Sequence, residues 1–191
     1  MSSDIRSALP AYRRLVQVVW VGLMLFCAYL AAGVPLGAVN PRLVRPMLGV
    51  SPWSPGLVLG IPWESLTPAQ WRSFCLSVGF WSLAGGVSAL VAVDQIRRIL
   101  AGASDSTPFT AANAARVRNA GIAILGSAAA KGFRDLAFGS FVQANIKVPG
   151  VNVMYGTDLG LSIAFIGLMI LAVAEVVRHG VKLQEEQDLT V

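Results

Sequence analysis

Charge is what this sequence has least of. Only 13% of its 191 residues are Asp, Glu, Lys or Arg, against the ~25% usual in soluble domains. A soluble chain needs polar side chains to cover its core, so with 55% hydrophobic residues the apolar excess has to face lipid. Histidine occurs once, as His179, and cysteine twice, as Cys27 and Cys75. No His-Glu-x-x-His or Cys-x-x-Cys spacing occurs, and neither a serine nor a carboxylate stands in a motif with His179. Metal and nucleophile chemistry each need such convergent groups, so a non-enzymatic chain without metal or cofactor is expected. A disulfide needs its two cysteines close together. Cys27 falls in the middle of one apolar run and Cys75 at the far end of the next, so both read as buried thiols in apolar surroundings.

What the sequence has instead is four apolar runs, which predict an all-α, polytopic membrane protein forming a single domain. The first, Leu15 to Val34, is long enough at ~1.5 Å per residue to cross a ~30 Å hydrocarbon core. It exceeds the ~7–15 residues of a signal-peptide apolar region, so a retained helix is expected. The second runs from Phe74 to Val93, the third from Gly121 to Phe141 and the fourth from Leu159 to Val177. Between the first two, residues 35–70 are rich in Pro and Gly and carry Trp53 and Trp63, with Trp71 just beyond. Proline blocks helix propagation, so an outer loop starting at Pro35 is expected, with the tryptophans as interfacial anchors and Leu57 to Ile61 dipping into the membrane surface.

Local signals mark the helix starts. Thr67-Pro68-Ala69-Gln70 has the form of a capping box with proline at the first helical position, and Thr110 is the expected N-cap of the third helix. Gly85 and Gly86 leave a notch for a neighbouring helix, because small residues govern close packing in lipid. Residues 94–119 form the inner loop, 143–158 a second outer loop, and 178–191 the tail. Within the second outer loop, Pro149-Gly150 between two short β-prone stretches suggests a hairpin.

A net charge of +5 suits nucleic acid in principle, but the basic residues form no stripe. Arg6, Arg13, Arg14, Arg97, Arg98, Arg116, Arg118, Arg178 and Lys182 flank the apolar runs on one side, nine against Arg42, Arg45, Arg72 and Lys147 on the other. That asymmetry predicts both termini on the cytoplasmic side, with membrane lipids as partners and no direct binding of nucleic acid.

Lys131, Arg134 and Asp135 lie inside the third run. A charge at the bilayer centre costs about 2.5–3.5 kcal/mol on insertion scales, so it needs a partner or a water-filled cavity. Lys131 and Asp135 are four apart and can pair along one helix face, while Gly126 to Ala130 let a neighbour pack closely. Two readings stay open: an ion pair satisfied in the bundle, or a polar cavity serving a small-molecule or ion transporter or sensor. A pore would require homo-oligomerisation in a chain this short. Glu175 lies too near the inner end to join Lys131 and matches Arg97, Arg116 or Arg118 in depth. His179, just past the fourth run, is placed for its cation to meet helix carbonyls.

Two stretches carry a family resemblance: Thr107-Pro108-Phe109-Thr110-Ala111-Ala112-Asn113, and Ala174-Glu175-Val176 through Gly180 to Glu185-Glu186-Gln187-Asp188-Leu189-Thr190-Val191. The chain thereby resembles the bacterial membrane family catalogued as DUF2975, whose members are similar four-helix membrane proteins. Ala112 stands where the family often has Glu. The resemblance implies a bacterial inner-membrane protein and, from the family's frequent neighbours, a small Cro/C1-type helix-turn-helix regulator as cytosolic partner. It implies a role in transcription regulation, in which the membrane protein binds and restrains that regulator. The residues expected to make the contact are Phe109, Asn113, Glu175, Glu185, Glu186, Asp188, Leu189 and Val191; Asn113 and Glu175 could equally join the third and fourth helices.

Overall fold

The computed structural model describes residues 3–40, 66–102, 110–145 and 158–188. Every element in them is helical: α1 (Ser3–Val39), α2 (Pro68–Gly102), α3 (Ala111–Asn145) and α4 (Leu161–Asp188). The chain is all-α.

The helix starts follow local hydrogen bonding. The Thr67 N–H donates to Oε1 of Gln70 at 2.9 Å and the Gln70 N–H to Oγ1 of Thr67 at 3.3 Å, the reciprocal pair of a capping box. Thr110 accepts the Asn113 N–H at 3.2 Å, satisfying an amide that the first turn leaves over. Ahead of α4, Asp158 accepts the Gly160 N–H at 2.9 Å. Gly160 has φ +68°, and a Cβ there would lie 3.0 Å from the carbonyl oxygen of Ala128. Both conditions call for glycine.

The helices are longer than the apolar runs. Pro35 lies inside α1, as does Pro10, so the expected loop start at residue 35 is corrected to after Val39. Proline removes one backbone donor, a small loss only a turn from the helix end. Helix is otherwise the conformation that satisfies the backbone where lipid supplies no partners. α2 and α3 likewise extend well into the expected inner loop, and α4 continues through the expected tail to Asp188. The proposed hairpin, Trp53, Trp63 and Leu57 to Ile61 lie outside the described residues.

Each helix packs on its neighbours in the chain, α1 on α2, α2 on α3 and α3 on α4. The contacts show alternating direction. Along α1 and α2, Val34 meets Gly79, Cys27 meets Gly86, Arg97 lies over Trp20 and Arg13 reaches Leu100. Along α2 and α3, Gln70 bonds Asn145, Phe74 meets Phe141 and Gly85 meets Ala130. Gly85 and Gly86 thus serve two seams: one faces α3, and the other faces α1. The α3–α4 seam crosses at Gly121 and Gly167. A Cβ on either would lie 3.2 Å from the other's carbonyl oxygen and 2.9 Å from a leucine, Leu171 or Leu125 respectively.

The aromatic core, Trp71, Phe74 and Phe141 with Ala38, Leu66 and Cys75, sits where α1 ends and α2 begins. Trp71 is 1% exposed, so it is a core residue and not the expected interfacial anchor. Its Nε1–H donates to the Gly37 carbonyl at 2.8 Å, an acceptor that the last turn of α1 leaves unfilled. Cys27 and Cys75 are free and buried, as expected.

Outward faces of α1 and α4 are apolar, with Val18, Leu25, Phe165, Leu168 and Val176 all exposed. Patches of this extent need a non-aqueous covering. Three helical segments are long and apolar enough to cross a membrane: Pro10–Val39, Pro68–Gly102 and Leu161–Gln187. The chain is membrane-embedded. α3 is less apolar and lies between α2 and α4, its buried positions mostly Ala and Gly.

Candidate functional site

The predicted polar trio assembles on the α3–α4 seam and gains a fourth member. Lys131 Nζ contacts Asp135 Oδ2 at 3.0 Å, the expected pairing one turn apart. The same ammonium reaches Asp158 Oδ2 at 2.7 Å and donates to the Asp158 carbonyl at 3.2 Å. Arg134 donates from Nε and a terminal nitrogen to Asp135 Oδ1 at 3.0 and 2.9 Å. Asp135 is 7% exposed, the one buried charged residue among those described, and its two oxygens are shared between the two cations.

The cluster therefore sums to zero: Lys131 and Arg134 against Asp135 and Asp158. Small side chains allow the geometry, since Gly132 approaches the Leu159 carbonyl and Ala128 approaches Gly160 closely enough that added methyl groups would touch backbone. Asp158, outside the spans, has its carboxyl held below the usual carboxylate range, first by the Lys131 hydrogen bond and then by the Gly160 N–H. Sequence reading missed Asp158. An acid just before an apolar run is the signal that could have found it, because carboxylates favour helix N-termini.

Cations gather at the opposite end of the array. Arg13 donates to the Leu100 carbonyl at 2.9 and 2.7 Å and to the Ala101 carbonyl at 3.1 Å. Arg116 donates to Asn113 Oδ1 at 3.1 Å and to the Arg98 carbonyl at 3.4 Å. Arginines from α1 and α3 thus cover the electronegative C-terminus of α2. Arg97 and Arg98 both bind Asp94.

Glu175 does not reach across to Arg97, Arg116 or Arg118, contrary to the depth argument. It is half exposed on α4 and pairs with Arg178 and, at 3.3 Å, with His179 of its own helix. Matching depth is insufficient when the side chain sits on a face turned away from the array. His179 Nδ1 lies 2.9 Å from the Glu175 carbonyl, in line with the expected contact to helix carbonyls. Asn113 takes part in the capping turn and in the Arg116 bond.

Val181 is the last buried residue of α4, and Lys182 through Gln187 are exposed. Setting Gly121 level with Leu171, the start of α3 falls near residue 181, so α4 projects roughly 10 Å past it. Glu185 and Glu186 lie on this projection. The structure does not bring the expected partner-binding residues into one cluster: Asn113 is near the start of α3, Glu175 on the outer face of α4, and the acidic pair beyond. Asp188 ends the helix, while Phe109, Leu189 and Val191 lie outside the described residues.

Among families, the protein family of unknown function DUF2975 matches the chain over residues 60–191. No curated protein and no solved structure matches it.

Proposed function

The chain belongs to the DUF2975 family, and from that premise we propose that it is a non-enzymatic regulatory protein of a bacterial cytoplasmic membrane. In this reading it crosses the membrane four times, keeps both termini inside, and binds and restrains a small cytosolic helix-turn-helix regulator.

The projection of α4 carries the reading. This helix continues past the start of α3, is exposed from Lys182 to Gln187, and bears Glu185 and Glu186 there. Acidic groups on a rigid rod suit a partner with a basic surface, as a DNA-binding protein has. Gly180, at the base of the rod, has open space where a side chain would stand, leaving room for another element beside Leu183.

Sidedness is supported by Arg13, Arg97, Arg98, Arg116, Arg178 and Lys182, which lie at the end from which this rod emerges. α3 as the fourth span is supported by its place between two apolar helices and by the mutual neutralisation of its charges. That neutralisation also favours a structural role for Lys131, Arg134 and Asp135 over a transport path, since each charge already has a protein partner.

The test is co-purification of a candidate regulator with the full chain, with a chain ending after Val181, and with Glu185→Lys/Glu186→Lys. Recovery is expected to fall at least tenfold with both variants. Equal recovery from all three would sink the docking role of α4.

A further inference from the structure

On α4, Gly167, Ala174 and Val181 are buried, the first of them against Gly121 of α3. The opposite side carries an exposed stripe at alternating steps of four and three: Phe165, Met169, Ala172, Val176, His179 and Leu183. Beside it Gly180, with nothing within 4 Å of where a side chain would stand, leaves an apolar dent walled by Val176, His179 and Leu183. We propose that this stripe joins two copies of the chain, α4 against α4 in parallel, about a two-fold axis along the membrane normal.

Three observations combine. First, lipid does not account for the whole stripe. Counting ~1.5 Å per residue from Leu159, a ~30 Å hydrocarbon core is crossed by the turn that carries Arg178 and His179. Gly180 and Leu183 lie at or beyond its edge, and Leu183 is 61% exposed between Lys182 and Gln184.

Second, the stripe runs without a break from lipid into water, so its cover has to be embedded at the same depth. A second copy inserted the same way meets that condition, bringing its own Val176 and Leu183 to the level of the dent. Alternating steps of four and three are the spacing that two parallel helices share in knobs-into-holes packing, and Ala172 and Gly180 allow close approach. Third, parallel pairing opposes no like charges along these flanks. Glu175 and Lys182 stand on one flank of the stripe, and Val173 and Gly180 on the other. Two-fold symmetry sets each flank against the opposite flank of the second copy. His179, the polar member, keeps a partner when covered, since its Nδ1 lies 2.9 Å from the Glu175 carbonyl.

The test uses the full chain in bacterial membranes and in nanodiscs. Under mild oxidation Val176→Cys is expected to give a disulfide-linked dimer. Leu25→Cys, on the exposed face of α1, should give less than a tenth as much, and the buried native Cys27 and Cys75 set the background. Gly180→Ile fills the dent. It should cut the dimer fraction at least fivefold, as counted by single-molecule photobleaching, without lowering the thermal midpoint, because nothing in the single chain meets the new side chain. Leu183→Asp should act in the same direction. Equal linking at Val176 and Leu25 would overturn the proposal, as would pairing of Gly180→Ile like wild type. A wild-type chain that is monomeric in lipid would also overturn it and would leave the dent to a cytosolic partner.

Discussion

The two faces of α3 are bonded to their neighbours by different chemistry. Toward α2 the seam is aromatic: Phe74 lies 5.0 Å from Phe141 and 5.9 Å from Phe138, and Trp81 stacks on Phe133 at 4.7 Å. Toward α4 it is made of glycines and charges, with Gly121 against Gly167 and Lys131 against Asp158. Lipid tails are as apolar as leucine, so hydrophobicity alone drives neither contact. The aromatic seam holds by the fit of large rings, the other by close backbone approach and by charges that lack a better partner. The first fails when a ring is removed, and the second when a glycine gains a side chain.

Trp71→Ala should show the largest effect. Its transfer contribution is small with lipid nearby, but the cavity and the lost bond to Gly37 remain, together costing about 3–4 kcal/mol. Chemical denaturation in micelles measures it, and a loss below about 1 kcal/mol would mean that the aromatic seam is peripheral. Asp135→Ala comes next. It leaves Arg134 without its carboxylate while Lys131 keeps Asp158, and an expected loss of about 2–3 kcal/mol falls below that for fully buried pairs because the cations are partly exposed. Asp135→Asn, keeping shape but not charge, should lose nearly as much if pairing is what matters.

Gly160→Ala should cost about 2 kcal/mol, because φ is positive and the methyl meets the Ala128 carbonyl. A neutral result there would show that the start of α4 shifts freely. The smallest effect is the pH dependence of Asp158. Its carboxyl is depressed in the folded state, so its contribution is present above the unfolded pKa of ~3.9 and is lost as pH falls through the lower folded value. The thermal midpoint should therefore drop more steeply below about pH 4 in wild type than in Asp158→Asn. Identical slopes would mean that the Lys131–Asp158 contact contributes nothing.

Much of this was readable from local sequence. The Thr67–Gln70 box, the Thr110 cap and the Lys131–Asp135 pair all depend on residues within four positions of one another, where helix geometry alone fixes who meets whom. The failures share a cause as well. The intrinsic preference of Pro35 is for a loop, yet a proline near a helix end loses only one bond. The usual habit of a tryptophan such as Trp71 is interfacial, yet Gly37 of another helix supplies an acceptor for its indole N–H. The expected match of Glu175 to Arg97, Arg116 or Arg118 rests on depth, a coordinate along the membrane normal that says nothing about which face of α4 points inward.

Composition and hydropathy by themselves determined that the chain is helical and membrane-embedded, because 55% apolar residues with so few charges have no aqueous solution. They also determined where helices start, since caps are made by near neighbours. Only the tertiary structure decided that Asp158 completes the Lys131 cluster and that Arg13 and Arg116 cap α2. These contacts join residues 18 to 88 positions apart, and their partners are chosen by the rotation and register of packed helices, which no local pattern encodes.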